Sequence, residues 1–523
     1  MRAEEYKIGA EKFNLINENR PLHDKELITK PIGFFRDALN RFAKNKGSVV
    51  AAAIIGILIL YAIIAPIFSP YTVAYSDPLY AYALPKTHLT QGINFLDGCA
   101  DKTFNENAFL YYYSMGTETG HYAFKNNQYN AYKTTNAKGK EITMYNVRLD
   151  SYHKIGCRFL SSVTPEDYQK IQDYQDRTNT QVIYPITDYG KRPENQIDQG
   201  DANFWYATKK SNGVTTPIDY TINADGTVTY TNIYTPYNGN DGYTSKMRIE
   251  GEGVTTYNYA RVLSDGSFEI RVNYYEYYRY YHTNVLHDKI TEPFFLFGTT
   301  NLGKDIFTCL ASGARFSFIL AIIVASVNLI VGAIYGAIEG YYGGKTDLIM
   351  ERIVEILSAI PFMIVITLLK YHMETTNHAL LLFISFFLTG WIGMSGTVRM
   401  QFYRFKNQEY VLAARTLGAK DPRIMFKHIF PNALGTIVTS SVLVIPGVIF
   451  SETSLSYLGI INLETGDTTS VGTLLAGGQP YLTTYPHMII YPAIFISLLM
   501  LSFNLFGNGL RDAFNPSLRG TEE

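Results

Sequence analysis

The chain has 523 residues and a net charge of −1, from 45 basic and 46 acidic side chains. This length is too great for one ordinary domain, and the balanced charge gives no reason to expect a nucleic-acid partner. Three cysteines are too few for a disulfide scaffold. The mean hydropathy is close to zero, because strongly apolar stretches are averaged with a polar block rich in tyrosine.

The amino-terminal segment 1–48 is hydrophilic and charged. Since it contains no apolar core near the start, no cleavable signal peptide is expected. The apolar run Val49–Phe68 carries no charge, and about 20 such residues are enough to cross a bilayer. The sequence therefore predicts a first transmembrane helix over 49–69.

The polar block that follows, Thr72–Leu296, is far too long for a connector and must form a domain. It is predicted to be rich in β-structure, with turns at Asn223–Gly226 and Ser264–Gly266. Cys99 and Cys157 both lie here, so a disulfide bond between them is open if the block lies outside the cytosol. The predicted strands are Thr215–Tyr220, Val228–Ile233, Lys246–Glu250, Thr255–Leu263 and Phe268–Tyr275.

Two further segments of this block have a recognisable pattern. A helix is predicted at Pro165–Arg177 with Thr164 as its N-cap, because proline suits the first helical position and Asp167 can reach back to the cap. The run Tyr274–Tyr281 is either a contact surface, since tyrosine buries a large area at low entropic cost, or a two-faced strand in an aromatic-rich sheet. The strand is favoured.

Five more apolar runs complete a predicted set of six membrane spans. Six such runs exceed what the core of a soluble protein uses. They are Phe316–Ile338, Leu348–Leu369, Ala379–Val398, Leu434–Leu458 and Met488–Phe506.

Lysine and arginine are concentrated on one side of these spans, which predicts orientation. They precede the first span, fill the segment between the fourth and fifth spans and follow the sixth. The loops Tyr371–His378 and Ile460–His487 contain none. Both termini are therefore expected in the cytoplasm, and residues 72–296 outside.

The cytoplasmic segment 399–431 contains two predicted helices. Gln408–Leu417 is rich in helix formers, with apolar residues at helical spacing, Asn407 as its N-cap and Gly418 as its stop. The Asp421-Pro422 pair then opens a second helix. This second helix is predicted to end before Pro431. An amphipathic helix resting on lipid headgroups is the alternative, and the hinged pair disfavours it.

This segment resembles the cytoplasmic EAA loop of ABC importer permeases. The pattern from Tyr410 to Asn432 (Tyr-Val-x-Ala-Ala, then Gly-Ala, then Lys-His-Ile-x-Pro-Asn) is similar to the C-type permease subunit of oligopeptide and dipeptide importers. The resemblance covers residues 35–71 and 297–520. Other agreeing segments are Phe297–Phe307, Ser312–Ser317, Gly340–Gly344, Glu452–Gly459 and Gly507–Asp512.

The resemblance implies an α-helical polytopic membrane protein, a type I ABC importer permease with six transmembrane helices and an inserted β-rich extracellular domain. The implied function is half of the translocation pathway of an ATP-driven peptide importer in a bacterial cell membrane. The chain itself is expected to be no enzyme and to bind no cofactor. The domain plan is 1–48 (cytoplasmic), 49–69 (first span), 72–296 (inserted domain), 297–516 (permease core, containing the coupling loop 399–431) and 517–523 (cytoplasmic tail).

The implied partners are a second, B-type permease subunit, two subunits that bind ATP and Mg²⁺, an extracellular peptide receptor expected to be a lipoprotein, the peptide and membrane lipid. The residues implied in coupling to the ATPase are Glu409, Tyr410, Leu412, Ala413, Ala414, Arg415, Gly418, Ala419 and Pro431.

Two features depart from the family pattern. Leu412 occupies the position of the acidic residue of the EAA triplet, and we hypothesise that Glu409, one turn earlier on a similar face, replaces it. The family joins its first two spans by a much shorter segment, so nothing about 72–296 follows from the resemblance.

Charges and breaks within the spans suggest a path for the solute. Glu452 and Lys370 near the outer helix ends either line a substrate path or reach the headgroups. Pro446-Gly447 is expected to kink the fifth span, either beside a gated path or in packing against a neighbour. All three of Glu452, Pro446 and Gly447 are candidate pathway residues.

Two other functions remain open at this stage. His372, Met373 and His378 are potential soft metal ligands, and nickel permeases belong to the same family, but a solvated loop is favoured and no metal site is predicted. A permease for nickel or another small solute is one alternative. The other is a membrane-anchored receptor or adhesin that acts through its outside domain.

Overall fold

In the computed structural model, residues 34–90, 94–184, 209–211, 214–216, 219–222, 228–231, 260–263, 265–288, 290–373, 377–464 and 468–514 are described. They form a helical region and, between its first two long helices, a domain that we call the insert (residues 72–296). The end of the helical region that contacts the insert is called the insert side, and the opposite end the far side. The predicted strand Lys246–Glu250, the turn Asn223–Gly226 and the tail 517–523 lie outside the described residues.

The helical region consists of α-helices joined mostly by short connections. An N-terminal helix, α1 (Phe34–Lys44), lies beside the last helix through ring contacts of Phe35 with Phe514 and Phe42 with Phe506. Later helices are numbered below after those of the insert. The helices of this region are α1, α2 (Lys46–Phe68), α6 (Ile306–Tyr342), α7 (Gly344–Ser358), α8 (Phe362–Met373), α9 (His378–Phe405), α10 (Glu409–Thr416), α11 (Asp421–Arg423), α12 (Phe430–Tyr457), α13 (Val471–Gly478) and α14 (His487–Phe514).

Five helical runs among the described residues are long and apolar enough to cross a membrane, and a bent pair makes a sixth if it counts as one span. The predicted continuous third span is wrong, because α7 and α8 meet at 71°. Pro361 stands at this break, where it lacks an N–H and restricts the residue before it. The second span begins ten residues earlier than predicted, since the Asp305 side chain caps α6 at Phe307 and Thr308.

Close packing of α6 on α9 depends on glycines spaced four residues apart. A side chain at Gly336 would lie 2.2 Å from the Ser395 carbonyl oxygen, and one at Gly340 would lie 2.7 Å from that of Arg399. Small residues at this spacing let two membrane helices approach along their backbones. The two helices therefore form a tight pair at the centre of the helical region.

The insert contains both strands and helices. Its helices are α3 (Glu106–Thr119), α4 (Pro165–Thr178) and α5 (Tyr274–Tyr280). Its strands are β1 (Cys99–Asn105), β2 (Phe124–Thr135), β3 (Glu141–Asp150), β4 (Cys157–Val163), β5 (Ile183–Tyr184), β6 (Lys209–Ser211), β7 (Val214–Thr216), β8 (Asp219–Ile222), β9 (Val228–Thr231), β10 (Ala260–Val262) and β11 (Phe268–Asn273).

These strands form two sheets and two separate hairpins. The first sheet has the antiparallel order β1-β3-β2, and the second has the order β10-β11-β4 with β5 also on β11. β6 pairs with β7, and β8 with β9. Strands β9, β10 and β11 fall within the predicted strands Val228–Ile233, Thr255–Leu263 and Phe268–Tyr275, whereas the predicted strand Thr215–Tyr220 overlaps two strands, β7 and β8. The first sheet and α3 were not predicted.

The helix predicted at Pro165–Arg177 is confirmed. The Thr164 hydroxyl accepts a hydrogen bond from the Asp167 amide at 3.1 Å and donates one to the Asp167 carboxylate at 2.8 Å. Proline at the first position and this reciprocal cap are the features on which the prediction rested.

The tyrosine-rich run does not form the predicted strand. Strand β11 ends at Asn273, whose side chain accepts from the Tyr275 amide and opens helix α5. Helical spacing then places Tyr274, Tyr275 and Tyr278 in the core of the second sheet. Most rings of the run are buried in the core of the insert. The predicted strand is nevertheless wrong, because the run is a helix.

The disulfide bond that the sequence left open between Cys99 and Cys157 is not formed. Cys99 begins β1 opposite Asp150 in the first sheet, whereas Cys157 begins β4 opposite Asn273 in the second. The two residues therefore belong to different sheets. Burial raises the pKa of the Cys99 thiol to about 12, so this thiol is protonated at neutral pH.

A buried carboxylate joins the first sheet to the loop before it. Asp97 accepts hydrogen bonds from Lys125 at 2.7 Å and from Arg148 at 2.8 and 3.0 Å. Burial alone would raise the pKa of Asp97, but the hydrogen bonds from Arg148 and Lys125 outweigh it and lower the pKa to about 2. Asp97 thus stabilises the sheet in its charged form.

An Asp97→Asn variant is expected to lose about 2 kcal/mol of local stability at pH 6. Because the pKa is depressed in the folded state, this stability is present above about pH 4 and is lost as the pH falls towards 2. Hydrogen exchange of β1–β3 in the full chain, corrected for intrinsic rates, measures it at pH 6 and near pH 2. Asp101→Asn is the control, since Asp101 contacts the same Arg148 but is 85% exposed. Equal protection in both variants at pH 6 would contradict the role of Asp97.

The insert rests on the helical region through aromatic stacking and buried hydrogen bonds. The Tyr82 ring lies 4.5 Å from that of Tyr485 and 4.9 Å from that of Tyr481, both in the segment before α14. The Thr299 hydroxyl donates to the Tyr80 carbonyl at 2.5 Å and accepts from the Ala83 amide. The connection between α12 and α14, which includes α13, therefore lies on the insert side.

Candidate functional site

The candidate site on the far side is built around helix α10. Val411 is the one residue of α10 that is fully buried, and it packs in a cluster with side chains of α6, α9 and the start of α12. The cluster comprises Ala333, Ala337, Tyr341, Met394, Val398, Phe402, Val411, Ile424, Met425, Ile429, Ala433 and Ile437. One anchor thus holds a short helix on the helical region.

The predicted start of helix α10 is wrong by one residue, and its predicted stop is confirmed. The predicted N-cap Asn407 is wrong by one residue: Gln408 has the extended backbone of a cap, although its side chain makes no capping bond. Gly418 follows the C-terminus with φ of +82°, a conformation that favours glycine. The Gly418 and Ala419 amides donate to the carbonyls of Arg415 and Ala414, so the predicted stop is confirmed.

The second predicted helix does not end before Pro431. After α11, a π-helical segment, Ile424–Ile429, continues directly into α12, and Pro431 lies in the first turn of α12. Proline is tolerated there because the backbone hydrogen bonds of the preceding π-helical segment already depart from the α-helical pattern. The second helix and the fifth span are therefore one continuous run, Asp421–Tyr457.

A polar contact fixes the hinge between α10 and α11. The Tyr341 hydroxyl at the end of α6 donates to the Asp421 carboxylate at 2.6 Å. The Arg415 guanidinium lies 5.8 Å from the Tyr341 ring centre, close enough for a cation–π contact. Tyr341 thus contacts both helices of the pair.

The outer surface of the pair exposes several large apolar side chains among charged ones. Tyr410, Leu412 and Phe426 are about half exposed, and Leu417 is 88% exposed. Glu409 and Ala413 are exposed beside them, while Ala414 is partly covered. We call this surface the α10 face. Several large apolar side chains exposed on one short packed helix are typical of a protein contact.

A charged cluster lies next to this site. Arg399 of α9 binds Asp347 with distances of 2.7 and 3.1 Å, Glu351 at 2.9 Å and Glu339 at 3.4 Å. Glu339 is only 1% exposed, so Arg399 compensates a buried carboxylate of α6. The Tyr403 hydroxyl also donates to Asp347.

This cluster was missed at the sequence level, although a signal exists. Glu339 is a charge near the end of an otherwise apolar span, and such a charge requires a partner. Asp347 and Glu351 are one turn apart on α7, so both can face one arginine. The identity of that arginine, Arg399, becomes clear only from the packing of α6 on α9.

The candidate pathway residues are placed differently from one another. Glu452 is fully buried and hydrogen-bonded to hydroxyls, so its proposed headgroup contact is wrong. Pro446 is buried inside α12, and Gly447 is exposed.

Lys370 donates to the Ile460 carbonyl at 2.5 Å. His372 and His378 lie in α8 and α9 rather than in a loop, and no metal-binding group of three residues exists among the residues that the structure describes.

Comparison with known proteins identifies two matching family models. The binding-protein-dependent transport system inner membrane component family matches residues 329–520, and the N-terminal transmembrane domain of oligopeptide transport permease C matches residues 33–85. The oligopeptide transport system permease protein OppC of Bacillus subtilis is 44% identical over 46% of this chain and 78% of its own length. The chain belongs to the OppC/DppC family of ABC importer permeases.

Other members of the OppC/DppC family give a consistent picture. The dipeptide transport system permease protein DppC of Bacillus subtilis is 40% identical over 43% of this chain and 69% of that protein. OppC of Escherichia coli K12 is 36% identical over 43% of this chain and 72% of that protein. This family consists of multi-pass inner-membrane permease subunits, so the chain is a permease and not the ATPase, which is a separate subunit.

Proposed function

We propose that this chain is the C-type permease subunit of a peptide importer and forms half of its translocation pathway. The observation that carries the proposal is the α10 face, a surface with exposed apolar side chains held on the helical region by Val411. The family model that matches residues 329–520 contains this face, and proteins named as oligopeptide and dipeptide permeases are 44% and 40% identical to the chain over their matched residues. Peptide is therefore the substrate class that the comparisons support best.

The proposed orientation follows from the distribution of lysine and arginine. The far side, with the start of α2, the end of α14 and the α10 face, is proposed to lie in the cytoplasm of a bacterial cell together with both termini, and the insert outside. The α10 face and the insert are at opposite ends of the long helices, which supports this assignment. A soluble motor and an external receptor then reach different ends of one protein.

The proposed assembly contains a second permease of the B type, two subunits that bind ATP and Mg²⁺, and an extracellular receptor, expected to be a lipoprotein, that delivers peptide. The proposed coupling surface comprises Glu409, Tyr410, Leu412, Ala413, Ala414, Arg415, Gly418, Ala419 and Pro431. Nucleotide binding closes the motor dimer and displaces α10. Since the pair is packed on α6, α9 and α12, that displacement shifts the spans between two arrangements.

The insert is proposed to dock the receptor. Contact with the outer loops of the partner permease and covering of the peptide entrance rank after it. Tyr82 of the insert contacts Tyr481 and Tyr485, which lie in the segment between the last two spans. A receptor bound to the insert would therefore lie beside the outer ends of these spans. Removal of 72–296 followed by measurement of receptor binding separates receptor docking from the other two roles.

The experiment that tests the function is purification of the complex through this chain, followed by uptake in proteoliposomes. Two ATPase subunits and a second permease are expected to co-purify, and unlabelled peptides are expected to compete for uptake of a labelled oligopeptide. Competition by nickel salts but not by peptides would support the small-solute permease instead. A chain that purifies without any ATPase would support the receptor or adhesin.

A further inference from the structure

The short helix α13 lies between the last two long helices, α12 and α14, on the insert side. It has eight residues, too few to cross a membrane, and it is apolar apart from Thr473. Ser470 caps its start and accepts from the Thr473 amide at 3.1 Å. Val471, Gly472 and Leu474 are buried, so α13 is wedged among the spans and not laid on their surface.

Glycines allow the start of α13 to press against two spans at once. A side chain at Gly313 of α6 would lie 2.9 Å from backbone atoms of Ser470 and Val471. A side chain at Gly472 would lie 2.4 Å from the Thr453 carbonyl oxygen of α12. By contrast, Gly477 at the other end of α13 has its nearest neighbouring atom 3.9 Å away. The first turn of α13 therefore has no room for even one added carbon.

Glu452 lies at the place where these three helices meet. Its carboxylate accepts from the Ser317 hydroxyl of α6 at 2.7 Å and from the Ser456 hydroxyl of α12 at 3.1 Å. Thr453 of α12 is a third hydroxyl partner at 3.5 Å. The Ser470 hydroxyl, at the start of α13, lies close to the same carboxylate and 2.8 Å from the Thr473 hydroxyl. Among the described residues, Glu452 is thus hydrogen-bonded to hydroxyls of α6 and α12 and lies beside the start of α13.

A buried carboxylate without a cationic partner is stable only while its hydrogen bonds are made. Ser456 lies on the same helix as Glu452 and moves with it, whereas separation of α6 from α12 removes the Ser317 hydroxyl and leaves the buried carboxylate short of a partner. Such an arrangement favours two discrete states over a gradual displacement.

The segment just before α13 separates two cavities. One, of about 30 Å³, is lined by residues that include Lys304, Cys309 and Glu464. The other, of about 300 Å³, is lined by residues that include Phe316 and His378. Thr469 lines both cavities. A displacement of the start of α13 would therefore join them into one larger space on the insert side.

We propose that Glu452 is a positioning residue that holds α13 against α6 and α12, and that α13 closes the outer end of the translocation pathway in this conformation. Outward opening then requires Glu452 to lose its bond to Ser317 of α6 and its proximity to Ser470 at the start of α13. The inference rests on the proposed transport function and orientation, because these define the pathway and which of its ends is the outer one. It assigns to Glu452 a contact with the protein itself and none with the transported peptide.

The test uses the assembled complex in proteoliposomes without receptor or peptide. Glu452→Ala removes the acceptor, and Gly472→Ala forces α13 from α12 while keeping the carboxylate. Both are expected to raise receptor-independent ATP hydrolysis by at least about fivefold, the lower end of ordinary coupling between sites. Ser454→Ala and Gly477→Ala are the matched controls, because within the described part of the chain the Ser454 hydroxyl bonds to the Phe450 carbonyl of its own helix and Gly477 has its nearest neighbouring atom 3.9 Å away.

A second readout follows the helix directly. A Thr473→Cys substitution in each variant is labelled with a membrane-impermeant maleimide, and labelling at position 473 is measured by peptide mass spectrometry. Faster labelling is expected in the Glu452→Ala and Gly472→Ala backgrounds than in the two controls. If labelling and ATP hydrolysis in both variants match the controls, the proposal is overturned.

A conservative variant separates positioning from contact with the solute. Glu452→Gln keeps an oxygen acceptor for the hydroxyls, so wild-type labelling and uptake are expected. Loss of uptake in Glu452→Gln with unchanged labelling would overturn the positioning role in favour of direct contact with the peptide. If Glu452→Ala fails to assemble, Gly472→Ala and Ser317→Ala decide the result. If wild type transports no peptide, the proposed function fails, whereas the labelling result still reports on α13.

Discussion

An Ala413→Trp variant is expected to assemble in the membrane and to lose peptide uptake by at least about 30-fold, the factor that corresponds to about 2 kcal/mol at an interface. Ala413 is exposed on the α10 face, between Leu412 and the partly covered Ala414. Its side chain contributes nothing to the Val411 anchor, so folding should be preserved. An indole ring at this position would hold a docked surface away from the whole face.

The matched control for size is Ala413→Ser, which is expected to transport as wild type does. Uptake of labelled peptide is measured together with the amount of complex in the membrane. Glu409→Ala belongs to the same test. If Glu409 takes over the role of the acidic residue whose position in the triplet is occupied by Leu412, this variant is expected to lower peptide uptake. Unchanged uptake would rule that hypothesis out. Normal uptake by Ala413→Trp would count strongly against the α10 face as the coupling surface.

An Arg399→Ala variant is expected to lose about 3–5 kcal/mol of stability, the usual effect of removing one partner from a buried ion pair. Three carboxylates, those of Glu339, Asp347 and Glu351, would be left together. Of the three, the Glu339 carboxylate would carry the largest free-energy penalty without Arg399, because it is buried away from water. The midpoint of heat-induced loss of monodisperse complex in detergent measures the change.

Two comparisons make this prediction specific. Arg352→Ala breaks an exposed pair with Glu355 on the same helix α7, and its effect should stay within about 1 kcal/mol. Adding Glu339→Gln to Arg399→Ala removes the stranded charge and is expected to restore part of the loss. Equal midpoints for Arg399→Ala and Arg352→Ala would contradict the cluster as a buried stabilising element.

The sequence predicted those features that depend on short-range chemistry. The Thr164 cap, the stop at Gly418 and the apolar cores of the long helices all follow from local rules. The failures have a different cause. Tyr274–Tyr281 fits a strand or a helix equally well until Asn273 caps it, and a run of apolar residues around Pro361 does not reveal a bend of 71°.

The candidate site shows the same division. The helix pair and its exposed residues were predictable, because capping and helical spacing are local. The contacts that position the pair were not: Tyr341 reaches Asp421 across 80 positions of the chain, and Arg399 reaches Glu339 from another span. Contacts of this range depend on how whole helices pack, for which one sequence carries no direct signal.

The continuity of α11, the π-helical segment and α12 has a mechanical consequence. This run of 37 residues extends roughly 55 Å at the rise of an α-helix. Asp421 stands at its foot beside the α10 face, and Glu452 stands near its head beside α13. Pro446 lies within this run and is a point at which a helix can bend. Under the proposed orientation, a displacement at the nucleotide side would therefore reach the opposite mouth through one helical run with a bend point at Pro446.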